Sequence, residues 1–213
     1  MKIHENISIK ERRRQKILES AFQVFARKGF EWTTMQDVAD EANIGVATVF
    51  RYFPKKNKLI INVIIYILEN SLPTFQQIFN EKGTGYEKFE QLLNHYIRLS
   101  EPGSLNNMKL LEAFETYIVF AQEPLEDLDE YYAAYAGITN IISDMIQQGK
   151  QDGSIRQDIA IVEVMGAIAN AFGIFTRKLS FFESMRMGKL VIVPAEQAEI
   201  VKNVFLEYLQ PKK

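Results

Sequence analysis

Apolar residues recur along most of the chain at spacings of three and four, the period of a helix with one buried face. Lys10 to Gly29 carries Ile17, Leu18, Ala21, Phe22 and Phe25 on one stripe, and Gly29 is a natural C-terminal stop. The stripe restarts as Val38, Ala39 and Ala42 behind Thr34, which stands at the N-cap with Asp37 three residues on. That is a capping box with Asp in place of the usual Glu or Gln. Asn43 falls where the chain must turn, and Asn tolerates the left-handed conformation well. Ile44 fills the elbow, and Val46 to Phe53 reads as a second short helix stopped by Pro54. Two helices joined by such a turn make a helix-turn-helix, whose second helix fits the DNA major groove.

The pattern beyond it is also helical. Lys55 to Lys82 reads as one long helix, with Leu59, Ile60, Val63, Ile64, Ile67, Leu68 and Leu72 on its stripe. Ile61 and Ile65 make its first half apolar nearly all round, as in a helix buried on two sides, and Pro73 is expected to kink it. Further helices follow over Tyr86 to Leu99, Asn106 to Ala121 and Leu125 to Gln148, separated by Pro102-Gly103, Pro124, Gly149 and Gly153. In Ile159 to Glu183 the small residues Gly166, Ala167, Ala169, Ala171 and Gly173 alternate with large apolar ones, which lets another helix approach closely. Pro194 to Leu209 closes the chain as a helix with Pro in its first turn. Leu190 to Val193 is the one strand-like scrap. The class is all-α, with about nine helices.

Charge sharpens this division. The net charge is only −2, but residues 1–58 hold twelve Lys/Arg against seven Asp/Glu, and the rest holds 13 against 20. A basic head on an acidic body suits a phosphate-facing domain with a separate regulatory one. Lys10, Arg12, Arg13, Arg14 and Lys16 stand ready to neutralise phosphates, or to reach a minor groove as an arm. With no cysteine, the chain has no disulfide and no thiolate nucleophile, which fits a reducing compartment. The N-terminus is polar rather than signal-like, and Leu59 to Leu68 is too short an apolar run to span a bilayer. A cytoplasmic protein away from membranes is expected.

The run A-N-I-G-V-A-T-V-F-R-Y-F-P-K-K-N-K-L, Ala42 to Leu59, resembles the recognition helix of TetR-family transcription regulators, whose usual pattern is A-G-V-S-x-G-T-L-Y-x-Y-F-x-x-K-E-x-L. The preceding G-F-E-W-T-T-M-Q-D-V-A is similar to their G-x-x-x-x-T-x-x-x-I-A entry. Gly45 replaces their Ser N-cap, Asn43 their turn Gly, and Phe50 a Tyr whose hydroxyl commonly contacts the DNA backbone. The resemblance implies a three-helix DNA-binding head over 1–55 and a helical ligand-binding and dimerisation body over 56–213, joined by a helix that transmits ligand binding. It implies that Thr34, Tyr52 and Lys56 hold phosphates. It implies too that the last two helices pair with those of a second copy, through Val164, Ile168, Phe172, Val201, Val204, Phe205 and Tyr208. An inducer pocket in the body is implied as well, for which Phe75, Phe79, Tyr96, Phe114, Tyr117, Phe172 and Phe175 are the candidate lining.

The residues themselves nominate further DNA contacts. Gly45, Val46, Ala47 and Thr48 are small, so the helix start can approach closely and point its N–H groups at phosphate. Thr48 offers a hydroxyl, and Val46 and Ala47 can touch a thymine methyl. Gln36 can bond adenine bidentately, Arg51 suits guanine or phosphate, Phe50 can press on methyls or sugars, and Arg13 represents the arm. Enzymatic chemistry finds no constellation: His4 and His95 are far apart, and no H-E-x-x-H, G-x-S-x-G or phosphate-loop pattern occurs. Asp127, Asp129 and Glu130 cluster at a helix start, where acids favour the dipole rather than a metal. No cofactor is expected. The expectation is a regulator, a repressor in sign, that binds a pseudo-palindromic DNA operator as a homodimer and is released by a small hydrophobic or aromatic effector. The alternative is a helical ligand-binding or protein-interaction module that has lost sequence-specific DNA binding.

Overall fold

The computed structural model describes residues 8–99, 105–121, 125–184 and 194–212; for residues 105, 173–184, 194 and 195 it describes the backbone alone. Among the described residues run nine α-helices and no strand: α1 Ile9–Trp32, α2 Met35–Ala42, α3 Val46–Tyr52, α4 Lys56–Asn80, α5 Gly85–Leu99, α6 Leu105–Phe120, α7 Leu128–Asp152, α8 Ile161–Ser184 and α9 Pro194–Leu209. The all-α expectation holds. Pro102-Gly103, Pro124 and the strand-like Leu190 to Val193 lie outside the described residues.

Local chemistry accounts for the ends of the first helices. Ser8 caps α1 by accepting the Glu11 N–H, and the Glu11 carboxylate accepts the Ser8 N–H at 2.9 Å. Gly29 breaks the helical run at φ 76°, ψ 169°, so only a last turn follows before Thr33, whose hydroxyl donates to the Gly29 carbonyl at 2.7 Å. Asn43 takes up φ 52°, ψ 51°, and its N–H reaches back to the Ala39 and Asp40 carbonyls, which closes α2 and turns the chain into α3.

The chain divides into two compact units. The first runs up to Ile67 and takes in Ala113–Tyr132; the second holds Leu68–Glu112 and the residues from Ala133 onward. The boundary expected at residue 55 marks where the helix-turn-helix ends, but the first unit also includes the start of α4 and the end of α6. The reason is burial. Leu59, Ile60, Ile61, Val63 and Ile64 are wholly inaccessible, as are Ile17, Ala21, Val38, Ala39 and Val49 of the three helices before them. Phe25 meets Phe30 edge-on at 5.1 Å, and Phe30 meets Tyr117 of α6 at 5.9 Å. α4 alone among the described helices is long and apolar enough to cross a membrane, yet half of that window is buried within the protein. It continues through Pro73 as one helix.

In the second unit the start of α5 lies against the end of α7. Gly85 and Gly149 make this approach possible: a Cβ on Gly85 would stand 2.1 Å from the Gly149 nitrogen. The Gly85 N–H donates to the Asp152 carboxylate at 2.8 Å and the Tyr86 N–H to the Ser154 hydroxyl at 3.1 Å, which satisfies the opening of α5. α9 packs on α5, with Ala198 buried against Ile97 and Lys202 donating to Asn94 at 3.0 Å.

α8 corrects the expected subunit face. Val164, Ile168 and Phe172 are buried in this chain's own core, whereas Val162, Gly166, Ala167 and Ala169 are exposed. At 3.6 residues per turn, 164, 168 and 172 share the inner side, Gly166 falls opposite them, and Ala167 and Ala169 lie to either side. On α9, Ile200, Val204 and Tyr208 are exposed, while Val201 and Phe205 are half-buried.

Replacing Gly85 by Ala forces backbone against backbone. Gly85→Ala should lower unfolding stability by about 3 kcal/mol in a urea titration, whereas Gly45→Ser, where a Cβ meets nothing within 4 Å, should change it by only a few tenths of a kcal/mol.

Candidate nucleic-acid interface

The helix-turn-helix is built from its inner side outward. Val49 and Phe53 of the α3 region are buried, as are Met35, Val38, Ala39 and Ala42 of α2, and α2 packs on both α1 and α3. The opposite side of α3 therefore presents Ala47, Phe50 and Arg51 to solvent, with Phe50 46% exposed; Val46, Thr48 and Tyr52 are half-buried at its margins. Gly45 is the N-cap and supplies no side-chain bond, so nothing but backbone stands at the α3 start. Arg51 lies 5.8 Å from the Tyr52 ring centre, a cation–π contact that leaves its guanidinium at the surface. Arg13 is exposed one helix away.

Several expected contacts are already occupied. Gln36 is exposed, and its amide donates to Asp40 at 2.7 Å, a bond it must exchange to reach a base. Thr34 is exposed, and its hydroxyl and N–H both donate to Asp37, at 2.9 and 2.8 Å. The Asp37 N–H returns to the Thr34 hydroxyl at 3.1 Å, which completes the capping box. Lys56 departs furthest from expectation. Its ammonium donates to the Phe30, Glu31 and Thr33 carbonyls at 2.9, 3.1 and 3.1 Å. An ammonium has three N–H donors, and all three are committed to closing the end of α1. Arg14, expected in the basic arm, instead bonds the Asn62 side-chain oxygen and lies 5.5 Å from the Phe53 ring.

Three further features of the first unit were not among the expected ones. Lys28 pairs with Asp37 at 2.5 Å, and with the Thr34 bonds it pulls the Asp37 carboxyl down to about 2. Trp32, 80% exposed, stands two residues before the α2 cap. Asp127, read as a helix-start acid, turns its carboxylate to Lys58 at 3.0 Å and to Asn62 at 2.8 Å. Long-range pairs leave no periodicity, so only the exposed Trp had a signal that sequence reasoning could have used, a large apolar residue beside a cap.

The candidate effector residues separate. In the second unit Phe75 meets His95 and Tyr96 edge-on, at 5.5 and 6.1 Å, and Tyr96 stacks on Phe172 at 5.5 Å. Burial pushes the Tyr96 phenol up. Phe79 lies under the Lys88 ammonium. Phe114 and Tyr117, by contrast, belong to the first unit, where Phe114 packs on Tyr131. The Phe175 side chain lies outside the described residues. A groove of about 440 Å³ in the second unit is lined by Tyr96, Ile138, Ile142, Met165 and Ile168, with Tyr135, Thr139, Asn140 and Ser143 as polar neighbours. Another, of about 690 Å³, opens in the first unit between Phe30, Trp32, Tyr117, Phe120 and Leu125.

Comparison with known proteins agrees with this arrangement. Residues 17–63 match the profile described as bacterial regulatory proteins, tetR family. A fatty acid metabolism regulator protein of Bacillus subtilis (strain 168) is 22% identical over 146 residues, 68% of this chain and 72% of that protein. An HTH-type transcriptional regulator of Staphylococcus aureus (strain USA300) is 30% identical over 102 residues, 48% of this chain and 53% of that one. Among solved structures, the transcriptional regulator FadR of Bacillus subtilis in complex with stearoyl-CoA superposes with a TM-score of 0.70 at 17% identity, covering 92% of this chain and 99% of that one. The shared fold therefore extends well beyond the head.

Two outcomes follow. Lys56→Met should lower stability by about 2 kcal/mol, seen as a lower urea midpoint, because three carbonyls lose their donor. The Asp37 carboxyl has its folded value below the ordinary 3.8, so its stabilisation of the α2 start is complete above that value and is lost as pH falls through about 2. Carboxyl-carbon NMR should find its midpoint near 2, and Lys28→Met, which removes the largest cause, should move the midpoint upward.

Proposed function

Because residues 17–63 belong to the tetR family of bacterial regulatory proteins, we propose that this chain is a cytoplasmic, ligand-responsive transcriptional regulator, a repressor in sign, that binds a pseudo-palindromic operator as a homodimer. The observation that carries the reading is the outward side of α3: small at its start, uncapped by any side chain, and bearing Phe50 and Arg51 at the surface. A helix of this form enters a major groove without steric conflict.

Within that reading, Gln36, Thr48 and Arg51 carry polar base recognition, and Val46, Ala47 and Phe50 supply apolar contacts to methyls and sugars. Gly45, Tyr52, the Thr34 cap and Arg13 face the phosphates. Lys56 takes no part, since its donors close α1. The head is assigned to residues 1–55 and the effector and subunit functions to 56–213. Subunit pairing uses the exposed sides of α8 and α9, which carry Val162 on the one and Ile200, Val204 and Tyr208 on the other. Val201 and Phe205, half-buried, flank the latter. The effector is a small hydrophobic molecule with one polar end, held near Tyr96 and Phe172 in the second unit. Apolar Ile138, Ile142, Met165 and Ile168 beside Asn140 and Ser143 support that chemistry, and the stearoyl-CoA bound to the Bacillus relative is of the same amphipathic kind. Release of DNA then requires the effector to prefer the non-binding state.

Gel shift against salt on the duplex upstream of its own gene tests the assignment. Arg13→Ala should reduce the slope of log affinity against log salt by about one, and Thr48→Ala and Arg51→Ala should weaken binding by about 1–3 kcal/mol each. Absence of specific binding in the parent chain would leave the DNA-free alternative standing. For subunit pairing, sedimentation of the double variant Ile200→Glu, Val204→Glu should give a monomer at a concentration where the parent is dimeric.

A further inference from the structure

A polar chain runs through the first unit that base and phosphate contacts do not use. Arg14 of α1 lies over the ring of Phe53, the residue that ends α3, and donates to the Asn62 side-chain oxygen. Asn62, only 7% exposed in the first half of α4, sends its amide N–H groups to the Lys58 carbonyl at 2.9 Å and to the Asp127 carboxylate at 2.8 Å. The other Asp127 oxygen accepts the Lys58 ammonium at 3.0 Å. From this we infer that Asp127 is a positioning residue for the helix-turn-helix: through Asn62 and Arg14 it sets where Phe53, and so the end of α3, sits against α1 and α4. The functional consequence rests on the proposed DNA-binding role of that helix.

The geometry leaves Asn62 no alternative orientation. Its oxygen faces a guanidinium and its nitrogen faces a carboxylate, so a flipped amide would set donor against donor and acceptor against acceptor. Asp127 thereby dictates which way the Asn62 oxygen points, and that oxygen holds Arg14 over Phe53. Phe53 is itself buried, at 1% exposure, so a displaced Arg14 removes a lid from the residue that anchors α3. Asp127 is also one of two described non-glycine residues at positive φ, at 64°. An L residue rarely stays there unless its side chain is held, and here two α4 side chains hold it. The turn before α7 and the end of α3 are thus joined by four side chains, and a change in that turn re-aims α3 without touching DNA.

Hydrogen exchange on the full chain tests this, with Asp127→Gly as the main variant because glycine adopts φ 64° freely and the fold is retained. Exchange over residues 9–16 and 46–53 should rise roughly tenfold in Asp127→Gly, and also in Asp127→Asn, which presents an N–H to one of two donors. Exchange over residues 85–99 in the second unit should stay at the parent rate. Glu126→Gln, which removes the exposed pair with Lys55 and a longer one with Lys58 at 3.7 Å but leaves every Asp127 bond in place, should match the parent throughout. Parent-like exchange in both Asp127 variants, an equal rise in Glu126→Gln, or a uniform rise across both units would each overturn the inference. On the duplex upstream of its own gene, Asp127→Gly should bind more weakly with an unchanged salt slope, since no phosphate contact is lost; undiminished binding would overturn the positioning role. A parent chain that binds no duplex would instead sink the DNA-binding reading, and the exchange result would decide the positioning by itself.

Discussion

Burial of the first half of α4 is the constraint on which the head depends. Leu59 through Ile64 leave almost nothing accessible, and five of these six positions are apolar. Each such side chain contributes roughly 1.5–3 kcal/mol when fully removed from water, so this segment adds a large apolar surface to the unit that holds α1, α2 and α3. The sixth position, Asn62, is polar. A buried amide is tolerated only when every donor and acceptor is matched, and Asn62 meets that condition through Arg14, Lys58 and Asp127. The same segment thus supplies adhesion through its apolar residues and orientation through its one polar residue.

Charge is distributed in the head by a similar rule. Cations near backbone ends are consumed in closing them: Lys56 serves three carbonyls at the end of α1, and Lys28 steadies the acid that caps α2. Arg13 and Arg51 remain at the surface, Arg51 in the last turn of α3 with its guanidinium on the Tyr52 ring. A basic count of twelve in the first 58 residues therefore overstates the charge available to a polyanion, because part of it holds the scaffold that presents the rest.

In the second unit, close helix approach depends on missing side chains. Gly85 and Gly149 let α5 and α7 meet backbone to backbone. On α8, Gly166 and Ala169 are exposed and line the groove shared with Tyr135, Thr139 and Asn140 of α7. The large residues Val164, Ile168 and Phe172 turn inward, where aromatic packing with Tyr96 gives them a better environment than any surface.

Periodicity and caps were legible without coordinates. The Thr34–Asp37 box, the left-handed Asn43, the break at Gly29 and the bounds of α3 and α9 all depend on neighbours within about four residues, and the backbone obeys them wherever the chain folds. The all-α class follows from the same local rules. What the linear chain does not carry is partnership over long separations. That Lys56 donates to carbonyls, that Asp127 accepts from Asn62, and that Val164 is buried depend on which elements pack together within each unit, and no local pattern carries that. A side chain's chemistry is written in its identity, but its partner is chosen by packing, and packing decides which of several possible bonds is made.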